Sequence, residues 1–562
     1  VPAPLRGPDP RNAPGGRGGA RAMSGLTGTL RLTRLALRSD RAILAAWILG
    51  LATFLVATTA MFVQSLATHA DAVQEVSLPA NNPGLRMLGL ASGPSVGGAT
   101  MIRDYVTLAV LAGLMSTLAV VRHTRQSEEL GRAELIGATV VGRYAGLAAG
   151  VVVAVGANIV LALMLGLAMM VNGQPATGSL NAGAAVAAVG VAFAGGAAVT
   201  AQLASTSRGA TGTAGAVLGL SFLLSGIGNM LGTVDSEALR VTSAWPAWLS
   251  PIGWGQQMRP FGGDHWWPLG LFVALFLCLL TVAVLLVDRR DVGRGVWPER
   301  RGADHAHRAL LSPTGLAWRL QRGALLGWAV GMLGFGLIFG AMSEQIQDVR
   351  GNALEWYRRV GGTGLIQDAY EASMIEIAAI AAAIYVVQVL LRMRADEVGG
   401  TLEPVLATGV SRRGWLAGHL LNAAGGAVVL VLVFSVSMGL TAGQALGDTG
   451  AHVRDLVAAG LVQLPGVAVV GAVVVAAVGL LPRWSAPVSW TWLLVTVMLS
   501  PTFGESLGLP RWVQDVSPFT HVPNAPATDI TAAPLLLLAA TCLVLVGTGA
   551  AAVRRRNLVL PA

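Results

Sequence analysis

The stretch EELGRAELIGATVVGR, residues 128–143, is a dense charged insert between two apolar runs, and it returns as DEVGGTLEPVLATGVSR at 396–412. With one inserted residue allowed, Glu128, Glu129, Gly131, Glu134, Ala138, Thr139 and Arg143 align with Asp396, Glu397, Gly399, Glu403, Ala407, Thr408 and Arg412. A helix beginning near Gly131 or Gly400 has acids before and within its first turn and arginines past its end, the order that the helix dipole favours. Water solvates any loop between membrane helices, so charge alone says little. The same order of residues in both halves predicts two short helices that serve as docking points for a partner.

Composition frames the inserts. With 54% hydrophobic and 12% charged residues and a mean hydropathy of +0.64, the chain does not have the composition of a soluble protein. It reads as an all-α polytopic membrane protein. Every one of the 38 basic residues is Arg, and these fall between apolar runs, so the net charge of +9 follows membrane topology and does not call for nucleic acid. Cys278 and Cys542 lie inside apolar runs and read as small core residues. Residues 1–22, rich in Pro, Gly and Arg, have neither the apolar core of a signal peptide nor material for a fold, and they read as a disordered extension ahead of Met23.

Residues 26–41, LTGTLRLTRLALRSDR, place Arg31, Arg34, Arg38 and Arg41 on one helical side and leucines on the other, as expected for an amphipathic helix on the membrane surface. It runs into a first span at about 42–63. Further spans read at about 104–121, 144–171, 184–204, 212–232 and 268–287, each long enough to cross a hydrocarbon core. The tryptophan-rich WPAWLSPIGWGQQMRPFGGDHWWPL at 245–269 reads as an interfacial or re-entrant segment. Then RGALLGWAVG at 322–331 echoes RAILAAWILG at 41–50, and the pattern restarts with spans at about 323–341, 371–391, 414–440, 456–481, 487–503 and 534–553. DVSPFTHVP at 515–523 keeps the Ser-Pro of the first half, Ser517-Pro518 against Ser250-Pro251. The expected organisation is therefore an extension (1–22), a first six-helix half (23–290), a cytoplasmic linker (291–309) and a second six-helix half (310–562), about twelve transmembrane helices in all. The arginines of the inserts, the linker and the C-terminus fall on one side, which should be the cytoplasm, with both termini inside. Arg350, Arg358 and Arg359 in the outer loop 342–370 depart from that bias.

The chain has no phosphate-binding loop, and without a lysine it can have none. Nor is there a Cys/His cluster at metal spacing or a Ser-His-Asp order, and the pair His305 and His307 reads as a solvated accident. Carboxylates inside the spans are scarce. Glu376 is the clearest, and it either faces a substrate pathway or else pairs with a neighbour or snorkels outward.

Six spans per half, an amphipathic segment before the first, an E-x-x-G-x-x-E type insert after the second and a Ser-Pro segment before the sixth resemble the permease of a type 2 ATP-binding-cassette (ABC) exporter. The fused halves and WLSPIGWGQQMRPF resemble more narrowly the actinobacterial polyketide-antibiotic and multidrug exporter permeases, a mycobacterial efflux permease among them. The resemblance implies a bacterial plasma-membrane transport subunit that is not itself an enzyme and binds no cofactor. ATP and Mg would be used by two copies of a separate ABC ATPase, identical or different. It implies that the inserts are coupling helices (Glu128, Glu129, Gly131, Arg132, Glu134 and Arg143; Asp396, Glu397, Gly399, Glu403, Arg412 and Arg413). Ser250, Pro251, Trp254, Ser517 and Pro518 would help close the extracellular side. The expected substrate is a hydrophobic or amphipathic small molecule, a drug, antibiotic or lipid. The second insert departs from the first at Gly400 and Pro404, which replace Arg132 and Leu135 in that alignment, so its helix is expected to start later and the two docking points to be inequivalent. The alternative is a proton-driven secondary transporter with two six-helix halves, faintly suggested by DRRDVGRG at 288–295.

Overall fold

Hydrocarbon offers no hydrogen bonds, so a chain of long apolar runs must satisfy its backbone within each run, and the helix does so. The computed structural model describes residues 25–235, 237, 239–291, 293–297, 302, 304–343, 366–506 and 509–557. The extension 1–22, most of the loop 342–370 expected on the outer side, with Arg350, Arg358 and Arg359, and parts of the linker 291–309 lie outside the described residues. The chain divides into two compact units, residues 1–301 and 302–562.

The first unit begins with α1 (Thr29–Ser65), one uninterrupted helix of 37 residues. The basic segment at 26–41 is thus the opening of the first span rather than a separate element. After α2 (His69–Asn81) and α3 (Pro83–Leu88) come α4 (Val96–His123), the insert helices α5 (Arg125–Glu129) and α6 (Arg132–Gly137), then α7 (Ala145–Val171), α8 (Ala176–Leu203) and α9 (Ser207–Met230). A short hairpin of β1 (Thr233–Asp235) and β2 (Arg240–Thr242) pairs Val234 with Val241. It closes over α2 and the segment between α3 and α4, burying Val76, Ala80, Leu90 and Val241 in a small satellite core. The unit ends with α10 (Pro251–Gln256) and α11 (Pro268–Asp288). α4 and α8 are its innermost spans, and α11 is the most exposed.

The second unit repeats the order with α12 (Pro313–Ala341), α13 (Ile366–Val398), the insert helix α14 (Leu402–Leu406), α15 (Arg412–Leu446), α16 (Thr449–Leu480), α17 (Ser485–Met498), α18 (Pro501–Ser506), α19 (Arg511–Gln514) and α20 (Ala532–Arg555). Helix starts share a pattern in which a Ser or Thr hydroxyl accepts the amide of a Gly three residues on, as in Ser95 to Gly98, Thr206 to Gly209, Ser312 to Gly315 and Ser411 to Gly414.

Two expectations change. Among the described residues, eleven helices rather than twelve are long and apolar enough to span. The run expected at 487–503 yields only the 14-residue α17, about 21 Å at 1.5 Å per residue. The chain then breaks before Pro501, whose ring cannot continue the helix. The cysteines also part: Cys278 is not a core residue, whereas Cys542 lies at the edge of the small core of Val469, Val522 and Leu538. Cys278 is exposed and Cys542 half-buried, each on the peripheral last helix of its unit.

α12 and α15 meet through Gly336 and Gly340, a small-xxx-small pair that lets two backbones approach. A Cβ on Gly340 would lie 2.2 Å from the Met438 carbonyl oxygen, and one on Gly336 2.7 Å from that of Phe434. Gly331, on the same helix, has nothing within 4 Å. Gly340→Val is expected to destabilise the purified protein by about 1–3 kcal/mol, as overpacking does. Gly331→Ala should leave the thermal midpoint unchanged or slightly higher, both followed by tryptophan fluorescence in detergent.

Candidate functional site

α4 delivers the chain to the first insert, and the insert is held before it reaches its tip. Arg125 is fully buried, and its Nη1 lies 2.6 Å from Glu128 Oε2. Arg290, two residues past α11, closes on the same carboxylate as a fork, Nη2 at 2.5 Å from Oε1 and Nη1 at 2.8 Å from Oε2. The Gly293 amide adds a hydrogen bond to Oε2 at 3.2 Å. A planar guanidinium matches a carboxylate in this bidentate way, which a lysine cannot do.

Past α5 the chain turns at Gly131, whose φ of 68° a side chain would strain, and α6 follows with none of its residues buried. Leu135 is 76% exposed and Val140 70%. The insert leaves through Arg143, which donates to the Val287 carbonyl at 2.7 Å, and Tyr144, whose hydroxyl donates to the Asp288 carboxylate at 2.7 Å. That hydrogen bond holds the Tyr144 pKa above its ordinary value.

The second unit builds the same device. Arg394 lies 3.1 Å from Glu397 Oε2. Arg556, just past α20, forks onto Glu397 at 2.6 and 2.7 Å. Gly400 turns at φ 70°, and Arg412 donates to the carbonyls of Val553 at 3.1 Å and Arg556 at 2.7 Å. The helix after this glycine starts one residue later than its counterpart, as Pro404 predicts.

This geometry corrects the alignment of the inserts. Arg125 and Arg394, Glu128 and Glu397, Gly131 and Gly400, Glu134 and Glu403, and Arg143 and Arg412 all stand 269 positions apart, so no inserted residue is needed and Glu128 corresponds to Glu397, not Asp396. Matching acid to acid had shifted the register by one. Asp396 pairs with Arg392 at 3.1 Å, and Glu129 accepts the Ser207 amide at 2.8 Å and the Ser207 hydroxyl at the start of α9. The carboxylates of Glu128, Glu129, Asp396 and Glu397 are thus engaged within their own units. Arg132, Glu134, Glu403 and Arg413 are exposed, as is Gly399.

The chain is 37% identical over 560 residues to the multidrug efflux system permease protein Rv1217c of Mycobacterium tuberculosis (strain ATCC 25618 / H37Rv), a match covering 97% of this chain and 98% of that one. The chain belongs to this permease family. Residues 310–554 also match the family model described as multidrug efflux system permease Rv1217c, C-terminal domain.

At the far end of each half, the permease buries its Ser-Pro segment. Ser250 donates to the Ser221 carbonyl at 2.6 Å and accepts the Gly253 amide at 3.2 Å, while Pro251 opens α10. Tyr105 donates to the Ile252 carbonyl at 2.9 Å. Ser517 donates to the Thr496 carbonyl at 2.8 Å, and Pro518 opens a 3-10 turn to His521. Trp254 packs edge-on against Phe272 at 5.6 Å between ring centroids and donates to the Trp248 carbonyl. At the end of α10, Gln256 Oε1 accepts from Ser225 at 2.8 Å and Asn229 at 2.9 Å. Sequence reasoning missed this network, although Ser221, Ser225 and Asn229 at intervals of four mark one polar stripe on α9.

Glu376 is buried in α13 and accepts the Thr502 hydroxyl at 2.6 Å and amide at 3.3 Å, so its carboxylate satisfies the broken chain beyond α17. The permease's first unit holds a cleft of about 540 Å³ walled by apolar residues such as Trp47, Met115 and Leu118, with Asp40, Arg122 and Arg208 at one end. Asp40 is engaged there by Arg122 at 3.0 Å and His123 at 2.8 Å.

Each serine anchors its Ser-Pro segment to a carbonyl of the fifth apolar helix in its unit. Loss of a buried hydrogen bond costs about 1–3 kcal/mol when a polar group is left unpaired. Ser250→Ala and Ser517→Ala are both expected to lower the thermal midpoint, Ser250→Ala more because it also removes the α10 cap, as read by differential scanning fluorimetry in detergent.

Proposed function

We propose that this permease is the membrane-spanning subunit of an ABC exporter, and that it docks two separately encoded ATPase subunits on the exposed tips of its inserts, around α6 and α14. The observation that carries this reading is the pair of inserts, alike in brace, glycine turn and exit arginine, each presenting a short helix, α6 with no buried residue and α14 with Leu402 alone buried. An isolated solvated loop has no need of such bracing. A surface that must receive force does, because a tip that yields transmits nothing. The arginine distribution supports a cytoplasmic location for both inserts and both termini in a bacterial plasma membrane. This chain hydrolyses nothing on this reading. ATP and Mg act in the partner, and the differential affinity of the two ATPase states for the tips shifts the permease between inward- and outward-open forms.

The named relative is a multidrug efflux permease, and the cleft fits a related cargo here. Its apolar walls with a polar end suit hydrophobic and amphipathic compounds, taken from the inner leaflet or cytoplasm. Ser250, Pro251, Trp254, Ser517 and Pro518 help close the outer side, since their segments cover the outer ends of the spans. The engagement of Glu376 by Thr502 weighs against the proton-driven alternative, which would place that carboxylate on a water-accessible path.

Co-purification tests the docking tips. Leu135→Asp with Glu134→Arg on the first tip, combined with Glu403→Arg on the second, is expected to cut capture of the ATPase and transport-stimulated ATP hydrolysis at least tenfold. The thermal midpoint of the permease should not change, because these side chains are exposed. Undiminished capture by the combined variant, or a wild-type permease that moves drug with no ATPase present, overturns the proposal.

A further inference from the structure

Each insert is tied at both ends to one and the same helix terminus. In the first unit its entrance is tied by the Glu128–Arg290 fork and its exit by the Arg143 hydrogen bond to Val287, so both ties land on the end of α11. In the second unit the Glu397–Arg556 fork and the Arg412 hydrogen bonds to Val553 and Arg556 land on the end of α20. The two arginines stand at matching places past their helices, since Val287 precedes Arg290 by the same three residues that separate Val553 from Arg556. Their carboxylates are otherwise supplied by a second arginine at i−3, Arg125 or Arg394. The fork is therefore more than the charge balance of one carboxylate requires.

α11 and α20 are also the least buried spans of their units, each with 17% of its apolar window buried. Each packs by one face only, near its end through Ala283 in the first unit and through Gly549 against Val475 in the second, so that end is a seated point to which the charge-assisted ties fasten the insert. Arg290 is anchored further by its Nε, which donates to Gln202 at the end of α8 at 2.6 Å, and by its Nη1, which donates to the Asp291 and Arg294 carbonyls at 3.3 and 3.1 Å.

We infer that Arg290 and Arg556 are positioning residues that pass displacement of the docking inserts to the sixth apolar helix of their halves, so that these two helices move with the inserts as part of the power stroke. The inference rests on the ABC-exporter reading above. It predicts uncoupling rather than loss of the complex. In Arg290→Met and Arg556→Met the aliphatic stem remains, and Glu128 and Glu397 keep Arg125 and Arg394.

The permease, reconstituted in proteoliposomes with its ATPase, is assayed for ethidium extruded per ATP hydrolysed. Each Met variant is expected to retain ATPase capture and basal hydrolysis within twofold, with ethidium moved per ATP falling at least fivefold. Arg290→Lys and Arg556→Lys, which keep the charge but not the fork, should show a twofold to threefold fall, and they replace any Met variant that does not accumulate in the membrane. A wild-type ratio in whichever variants accumulate, with the complex intact, overturns this inference alone. A parallel fall in hydrolysis and transport with an unchanged ratio also overturns it, because that is what a merely structural role predicts. If the wild-type permease fails to capture or stimulate an ATPase, the exporter reading fails and this inference with it.

Discussion

Hydrocarbon cannot hydrogen-bond, and the polar groups of this permease are arranged around that constraint. At several places where a helix starts, breaks or ends, a side chain takes an orphaned backbone group. Hydroxyls at Ser95, Thr206, Ser312 and Ser411 cap helix starts. Glu376 takes the Thr502 amide where the chain breaks after α17. Arg143 and Arg412 take carbonyls at the last turns of α11 and α20. Inside the first unit, Asn158 of α7 donates to Ser116 of α4 at 2.7 Å, one of the few polar links between two apolar helices. A carboxylate in such a chain is expensive to bury unless engaged, and so Glu128, Asp396 and Glu397 are drawn to arginines and Glu129 to the start of α9, while Glu134 and Glu403 stay exposed on the tips.

That inward engagement sets the limits of what the sequence made legible. Runs of about 20 apolar residues identified the helices and the duplication, because the length needed to cross a bilayer is a one-dimensional quantity. The inserts were visible as charge between such runs. Their internal roles were not, because Glu128 and Glu129 are adjacent in sequence and alike in chemistry, yet one accepts an arginine fork and the other the start of α9. Only Arg290, 162 positions from Glu128, tells them apart. The polar stripe on α9 was a signal in plain view, whereas the break before Pro501 was obscured by an apolar run continuing past it. Cys278 misled for a related reason. In a membrane protein apolar surroundings do not imply burial, since a side chain facing lipid needs no less apolar character than one facing the core.

The two halves of the permease agree in some places and part in others. The spacing of 269 residues holds through the inserts, and the pairs Arg125–Glu128 and Arg394–Glu397, the forks and the exit arginines are retained. By contrast, the repeat that aligns RAILAAWILG with RGALLGWAVG sets Asp40 against Gln321. Asp40 engages Arg122 and His123, whereas Gln321 meets His419 at 3.1 Å. Position 129 is an engaged glutamate in the first half, and its counterpart, Val398, is an exposed valine. The fifth helix of the first half, α9, has 24 residues, against 14 in α17.

These differences are not spread at random. What is repeated is the mechanical linkage between insert and sixth helix, where a bidentate fork tolerates neither shortening nor loss of charge. What diverges is the wall chemistry beside the inserts, including the charged end of the cleft in the first unit. Two separate copies of one subunit could not diverge in this way, because each substitution would appear on both. Fusion into one chain removes that restriction, so one half can carry a charged site while the other carries a neutral one, provided that both keep the linkage through which a common stroke would reach them.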